Sequence, residues 1–527
     1  MSHQWWRHAA IYQVYPRSFA DADGDGIGDL AGVRARLGHL RDLGIDAIWF
    51  SPWYPSPMAD AGYDVADYRD IDPMFGTLDE ARLLIGEAHQ LGIRSIVDVV
   101  PNHCSDQHEW FKEALGARPG DPARDRFWFR AGRGALPPND WQSTFGGPAW
   151  TRLPDGEWYL HLFAREQPDF NWDHPSVRAE FTDILRFWFD LGVDGIRIDS
   201  AAMCVKDPGL PEPAEGEPHP YVDQDGTHEI YRSWRAVAEE YAEPRALIGE
   251  VWLADADRFA KYLRPDEMHT AFNFDFLGCP WDAKALRKVI DDTLASHAAV
   301  GAPSTWVLSN HDVTRHVTRY GRADTAFDFA LRGARHGRPT DLALGTRRAR
   351  AAALLTMSLP GSVYVYQGEE LGLPEVEDLS DEVRDDPMYT RSGGADPGRD
   401  GCRIPLPWSS GPALGFNSTG ASWLPQPPDW AELSVEAQQD DPGSMLNLYR
   451  AALAGRRSLD GPMTWLDAPA DVLAFGRPGG FVCLVNLSAD AVPLPAHEQI
   501  LLASAEFVDG RLAPDAAVWL RVLESLS

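Results

Sequence analysis

Eight short apolar runs, alternating with longer amphipathic stretches, constrain this chain more than any other feature. The runs are Ala10–Val14, Ala47–Phe50, Ser95–Val100, Gly195–Asp199, Ala246–Val251, Ala271–Phe276, Trp306–Ser309 and Ser362–Tyr366. Between them lie patterns such as Leu30–Leu43, Leu78–Leu91, Val177–Leu191 and Glu229–Tyr241. In the second of these, Leu83, Leu84, Glu87, Ala88 and Leu91 keep the three-and-four spacing of a one-sided helix. Strands separated by helices pair in parallel through crossovers, and eight such units predict a (β/α)₈ TIM barrel of the α/β class. On that architecture the loops after the strands carry the chemistry.

The alternation breaks in one place. From about Asn102 to His174 helical period gives way to Trp, Phe, Gly and Pro, as in Phe127-Trp128-Phe129. This predicts an irregular lobe inserted after the third strand, over the barrel mouth. A Gly/Pro/Asp-rich stretch from about Glu370 to Gln439 follows the eighth strand. Structureless loops of this length are rare in compact domains, so it is expected to be an ordered active-site loop. Beyond about Gly455 short strand patterns at Val472–Phe475, Phe481–Asn486, Ile500–Ala503 and Ala517–Val522 predict a C-terminal antiparallel β domain. The expected division is barrel at 1–102 and 175–454, lobe at 103–174 and β domain at 455–527.

Charge narrows the partners. A formal net charge of −31 over 527 residues argues against nucleic acid and against an anionic membrane surface, and favours a neutral small-molecule substrate. No run of eighteen apolar residues occurs, and Met1–Arg7 lacks an apolar stretch behind a basic start. The five cysteines are odd in number and scattered, which fits neither a disulfide framework nor a zinc site and favours a reducing, cytoplasmic compartment.

Three of the apolar runs end on acids. Asp199 closes Gly195–Asp199, Glu250 follows Ala246–Gly249, and Asp312 ends Val307–Asp312. A lone buried charge is expensive, so three at strand tips predict a shared polar cavity. Two carboxylates facing one bond are the usual equipment for cleaving a glycosidic linkage. Structural ion pairs or helix caps are the alternative.

Short motifs sharpen this reading. Asp98–His103, Gly195–Asp199, Glu250-Val251-Trp252 and Asn310-His311-Asp312 stand in order along the barrel pattern, with Gln167–Trp172 in the lobe. Together they resemble the signatures of the α-amylase family of glycoside hydrolases, in its α-glucosidase and oligo-1,6-glucosidase branch. The resemblance covers nearly the whole chain. It implies Asp199 as nucleophile, Glu250 as general acid and Asp312 as electrostatic stabiliser. Chemistry agrees: Arg197, two residues earlier, keeps Asp199 ionised, while desolvation raises the pKa of Glu250 so that it holds a proton. It further implies that Asp64, His103, Arg197 and His311 bind the sugar, that Tyr63 stacks beneath it and that Arg403 closes the acceptor side. A surface ion pair is the alternative for Arg403. Phe145 and Phe163 line either the pocket or the interior of the lobe.

Ser200, after the expected nucleophile, departs from the Val linked in this family to α-1,6 preference and from the Thr or Ala linked to α-1,4. Being smaller than Val, it favours α-1,4 disaccharides and short oligosaccharides, and its hydroxyl encourages transglucosylation. The expected activity is a retaining exo-acting α-glucosidase. Oligo-1,6-glucosidase, sucrose hydrolase or isomerase, and related glucosyl transferases are its alternatives. A non-catalytic transporter-partner role is disfavoured, since the chain keeps all three acids. The loop Asp21–Asp29 places Asp21, Asp23, Asp25, the carbonyl of Ile27 and Asp29 like the first half of a calcium loop, with Gly32 where the bidentate Glu would stand. One structural Ca²⁺, replaceable by Mg²⁺, is expected there, a metal-free acidic turn being the alternative.

Overall fold

A computed structural model describes residues 4–523; Met1–His3, the start of the amino end read above, and the last four residues lie outside it. The eight expected strands form one parallel sheet: β1 (Ala10–Val14), β2 (Ala47–Phe50), β3 (Arg94–Val99), β4 (Gly195–Ile198), β5 (Ala246–Gly249), β6 (Thr270–Ala271), β7 (Thr305–Val307) and β8 (Ser362–Tyr366). Their hydrogen-bonded order is β7-β8-β1-β2-β3-β4-β5-β6, a TIM barrel with a seam between β6 and β7. Across that seam the Thr305 hydroxyl donates to the Ala271 carbonyl.

Two elements differ from expectation. The sixth run yields only two strand residues, because the Asn273 side chain accepts from Phe276 N–H and caps a short helix, Phe274–Gly278. A short buried apolar run does not reveal by its period whether it is strand or helix. The first helical stretch is divided at Arg36 into Leu30–Ala35 and Leu37–Leu43. Leu78–Gln90, by contrast, starts where its sequence says it should. Thr77 and Glu80 form a reciprocal capping box, which satisfies two of the helix's free N–H groups.

The lobe after β3 carries the helix Glu109–Gly116 and a three-stranded antiparallel sheet of Phe129–Ala131, Trp150–Arg152 and Glu157–Leu160. Trp128, Trp141, Trp150 and Leu162 pack together as its own small core. Its return to the barrel is pinned by Asp169, whose carboxylate meets the Lys206 ammonium at 2.8 Å, both side chains fully buried. A buried pair of this kind is costly to break on one side only, so the lobe's position over the barrel mouth is fixed.

At the carboxyl end β9 (Thr464–Trp465), β10 (Val472–Arg477), β11 (Phe481–Asn486), β12 (Gln499–Ala503) and β13 (Ala516–Arg521) form an antiparallel sheet in the order β9-β10-β11-β13-β12. It docks on the helix Leu342–Ser358: Trp519 Nε1 donates to the Leu354 carbonyl at 3.1 Å, and Arg477 to the Ser358 carbonyl at 3.1 Å. All five cysteines are buried and free. No helix among the described residues is long and apolar enough to cross a membrane.

Candidate active site

The ends of β3, β4 and β5 bring Asp98, Arg197, Asp199 and Glu250 together, and Arg197 organises them. One terminal nitrogen of its guanidinium donates to Asp199 Oδ1 at 2.7 Å and to both oxygens of Asp98 at 2.9 and 3.0 Å. The other meets Glu250 Oε2 at 2.8 Å. Arg197 is itself 1 % exposed, so its positive charge is spent entirely on these acids. Glu250 Oε2 also accepts the Ser200 N–H at 2.9 Å, while Oε1 accepts from Trp252 Nε1 at 3.0 Å. Ser200 holds φ at +44°, a left-handed conformation that side chains other than glycine seldom adopt. Strain of this kind costs about 1–3 kcal/mol and gathers at functional sites. It occurs here at the residue whose N–H meets Glu250.

Burial raises Asp199 well above the ordinary carboxylate range, and the negative charge of Glu250 raises it further, against the pull of Arg197. Arg197 was expected to keep Asp199 simply ionised. It does not outweigh the rest, because it also serves Asp98 and Glu250. Asp98, behind them, is likewise pushed up by burial, to about 7, with Arg197 opposing.

Asp312 sits differently. Its Oδ1 accepts from Arg399 at 3.1 Å and from Arg403 at 3.2 Å, and its Oδ2 lies 3.3 Å from His311 Nε2. Burial works against its charge, but His311 and the arginines hold it well below the usual range. Burial holds the imidazole of His311 at about 3, so near neutral pH the arginines carry this effect. His311 is wedged between Gln13, 2.7 Å from Nδ1, and the Tyr63 hydroxyl, 2.7 Å from Nε2.

Above these groups opens a cavity of about 440 Å³. Asp199, Ser200, Glu250, Asp312, Tyr63, His103, Phe145 and Phe163 all line it. Phe145 and Phe163 meet edge to face at 5.4 Å, and Phe163 covers His103 at 4.8 Å, so the lobe supplies one apolar wall. His103 is held neutral by burial, at about 3, beside Asn102 and Gln167.

Three expected sugar ligands, Arg197, His311 and Arg403, stand behind the lining rather than in it. Arg403 is no surface ion pair: it is 1 % exposed and bonded to the His311 carbonyl as well as to Asp312. Asp64 is a correction. It is fully buried and its oxygens accept the N–H groups of Ala59 and Asp60 at 2.9 and 3.0 Å, so it builds the loop instead of facing the cavity. Asp60 takes the cavity position, bonded to Arg399 at 2.6 Å and to Gln167 at 3.0 Å. Sequence reasoning also missed Arg399, whose guanidinium lies 5.4 Å over Phe145. Its signal was there: Arg399-Asp400 opens the same acidic, Gly-rich segment that holds Arg403.

In the acidic loop the carboxylates of Asp21, Asp23 and Asp29 gather within 4.8 Å of one another. Asp25 stands outside this group and accepts the Ile27 N–H at 2.8 Å. Asp21 is braced by Asn417 at 2.7 Å, and Asp29 caps the helix Leu30–Ala35 through Gly32 N–H. Hard oxygen donors of this kind suit Ca²⁺ or Mg²⁺.

Comparison with known proteins agrees with this geometry. Residues 13–460 match the alpha amylase catalytic domain. The chain is 38 % identical to a probable alpha-glucosidase of Rhizobium meliloti (strain 1021), over 92 % of this chain and 90 % of that protein. It is 34 % identical to the oligo-1,6-glucosidase of Parageobacillus thermoglucosidasius, over 87 % and 85 %. The crystal structure of an alpha-glucosyl transfer enzyme superposes with a TM-score of 0.85 at 35 % identity, covering 98 % of this chain and 99 % of that one. The chain belongs to the alpha-amylase family of glycoside hydrolases.

Proposed function

We propose that this enzyme is a retaining, exo-acting α-glucosidase that releases α-glucose from the non-reducing end of short α-glucosides. The observation that carries this is the single Arg197 guanidinium shared by Asp199 and Glu250. Two carboxyl groups on the ends of one guanidinium are held close, which favours the retaining spacing of roughly 5–5.5 Å over the inverting one of roughly 6.5–9.5 Å.

The chemistry follows from the hydrogen bonds. Asp199 attacks the anomeric carbon and forms a glucosyl ester. Glu250 protonates the departing oxygen, then removes a proton from the water that breaks the ester. Its Oε2 is committed to Arg197 and Ser200, so Oε1, held only by the indole of Trp252, is the oxygen that faces the substrate. Asp312, kept charged by Arg399 and Arg403, offsets positive charge on the sugar ring in the transition state. A cavity of about 440 Å³ with an aromatic wall suits one or two sugar rings and excludes a polymer chain.

Ser200 leaves room that a branched side chain would fill, which supports α-1,4 glucosides, with its hydroxyl favouring transfer to a second sugar. The test is a panel of maltose, isomaltose, sucrose and starch with products followed by NMR. Initial release of α-glucose from maltose, with disaccharide products at high maltose, supports the reading. Initial release of β-glucose, or preferred action on starch, overturns it.

Ca²⁺, or Mg²⁺ in its place, is proposed as a structural ion held by Asp21, Asp23 and Asp29. It would offset three converging negative charges and has no part in the reaction. Chelation lowers the melting temperature if this is right and leaves it unchanged if not. A cytoplasmic location is proposed from the five free, buried thiols; fractionation of the source cells tests it.

A further inference from the structure

Strand β1 reads Ala-Ile-Tyr-Gln-Val and is buried throughout, so the amide of Gln13 stands inside the barrel, behind the lining of the catalytic cavity. Parallel pairing with Trp49 of β2 and Tyr366 of β8 fixes its backbone on both sides. A buried amide costs free energy unless it is hydrogen-bonded. Its nitrogen meets two groups, Ser51 Oγ at 3.0 Å and His311 Nδ1 at 2.7 Å. The steps of the reaction above make no use of it.

The far end of a chain decides which proton lies between Gln13 and His311. Asp98 Oδ2 accepts from Arg197 at 3.0 Å and from Trp49 Nε1 at 3.3 Å, so it also accepts the Tyr63 hydroxyl at 3.1 Å. With its proton on Asp98, the Tyr63 oxygen must receive one from His311 Nε2, 2.7 Å away. Asp312 agrees. Its carboxylate is ionised beside Arg399 and Arg403, and its Oδ2, 3.3 Å from the same Nε2, can only accept. The imidazole of His311, held neutral by burial, carries a single proton. That proton is on Nε2, Nδ1 is bare, and Gln13 must turn its amide N–H to it.

We propose that Gln13 is a positioning residue for the reaction: it fixes the tautomer of His311 and so orients a hydrogen-bond chain that joins the two sides of the catalytic cavity. The chain runs from Gln13 through His311 and Tyr63 to Asp98. The partner of one ring nitrogen sets what the other can offer. On the Asp312 side, Nε2–H meets a carboxylate, where the reversed ring would set a bare nitrogen against it. On the other side, the Tyr63 hydroxyl stays on Asp98, which also holds Arg197, the partner of Asp199 and Glu250. With the ring reversed, that hydroxyl would give its proton to Nε2 and leave Asp98. The part in catalysis deepens the α-glucosidase reading and rests on it; the place of the proton does not.

The experiment uses protein with ¹⁵N-labelled histidine rings, in which bare and protonated ring nitrogens resonate in separate ranges. The signals lost in His311→Gln identify His311. In the wild type at neutral pH, Nε2 is expected in the protonated range and Nδ1 in the bare one. The reverse, or a proton on both, overturns the proposal. Gln13→Met keeps the length of the side chain and removes the donor. Its Nδ1 resonance is expected to move further toward the free-acceptor end. Its kcat on maltose should fall about 10–100-fold, with KM within about threefold. In a folded Gln13→Met, an unmoved Nδ1 resonance, an unchanged kcat or a loss confined to KM overturns the proposal. If Gln13→Met fails to fold, the wild-type resonances decide alone. If the wild type releases no glucose from any α-glucoside, the α-glucosidase reading falls, and the ring nitrogens still uphold or refute the tautomer.

Discussion

The two sides of the catalytic cavity balance charge in opposite ways. On one, three carboxylates, Asp98, Asp199 and Glu250, share the single guanidinium of Arg197. On the other, one carboxylate, Asp312, receives two guanidinium groups, Arg399 and Arg403, whose other partners are Asp60 and Asp386. An acid-rich cluster retains a proton, because like charges held close in a buried place cannot all ionise. Asp312, facing two guanidinium groups, is held ionised, although Asp60, which shares Arg399, is still pushed up by burial. The same residue type thus suits proton transfer on the first side and fixed charge at Asp312 on the second, and the balance of burial against arginines decides which.

Removing the proposed nucleophile breaks the first side most completely. Asp199→Asn keeps the shape and the Arg197 contact but cannot form the ester. Turnover of maltose should fall by roughly 10⁴-fold or more, with KM little changed, as expected when a covalent step is lost. An Asn variant with more than about a tenth of wild-type kcat would show that Asp199 does not react.

The second side yields a smaller loss with a signature in pH. Arg399→Leu removes one of the two guanidinium groups on Asp312. The Asp312 pKa then rises toward the ordinary carboxylate value of about 3.9, read by NMR titration of its side-chain carbon. Asp199, raised well above that range, keeps the acid limb of the kcat profile in place. Weaker stabilisation of the transition-state charge costs about 10²–10³-fold in kcat. If kcat falls but the Asp312 titration does not move, Arg399 only shapes the pocket.

Ser200→Val tests linkage choice on the first side. The branched side chain fills space beside the leaving group, and the ratio of kcat/KM on isomaltose to that on maltose should rise about tenfold, a differential of roughly 1.4 kcal/mol. An unchanged ratio would remove Ser200 from the account of specificity.

Much of this was legible in the sequence because burial and strand period are local. β1, β2 and β8 begin and end where their apolar runs do. Asp199 and Glu250 at the ends of β4 and β5, Asp312 in the loop beyond Val307 at the end of β7, Tyr63 and the phenylalanines of the lobe all reach the cavity. What the sequence did not show depends on backbone paths in loops. Asp60 and Asp64 are four residues apart with similar surroundings. Left-handed backbone at Met58 and Ala61 folds the loop so that Asp64 takes its N–H groups and Asp60 faces the cavity. Arg399 and Arg403 flank the 3₁₀ turn Asp400–Cys402, which turns both toward Asp312 and leaves only Arg399 on the lining. Protonation was the other gap. It is set by burial and by how many acids share one arginine, neither of which appears until β3, β4 and β5 lie side by side.

The smallest expected effect separates the two sides most cleanly, because it has opposite signs. A carboxyl whose folded pKa is raised contributes stability that is full below its unfolded value and lost as pH rises through the folded one. Asp199 is such a group. At pH 7, above its unfolded value, burying this carboxyl beside Glu250 works against the fold, so Asp199→Asn should raise the melting temperature by about 1–3 °C. Asp312 is the reverse: its lowered pKa contributes stability above the unfolded value, lost only as pH falls through the folded one. Asp312→Asn should therefore lower the melting temperature by a similar amount at pH 7. Near pH 4 the gain from Asp199→Asn shrinks, since the wild-type carboxyl is then protonated in the fold. The loss from Asp312→Asn persists there, since its folded pKa lies lower still. Differential scanning calorimetry of both variants at pH 7 and pH 4 reads this directly. Shifts of the same sign at pH 7 would mean that the share of arginines does not set the charge state of the two sides.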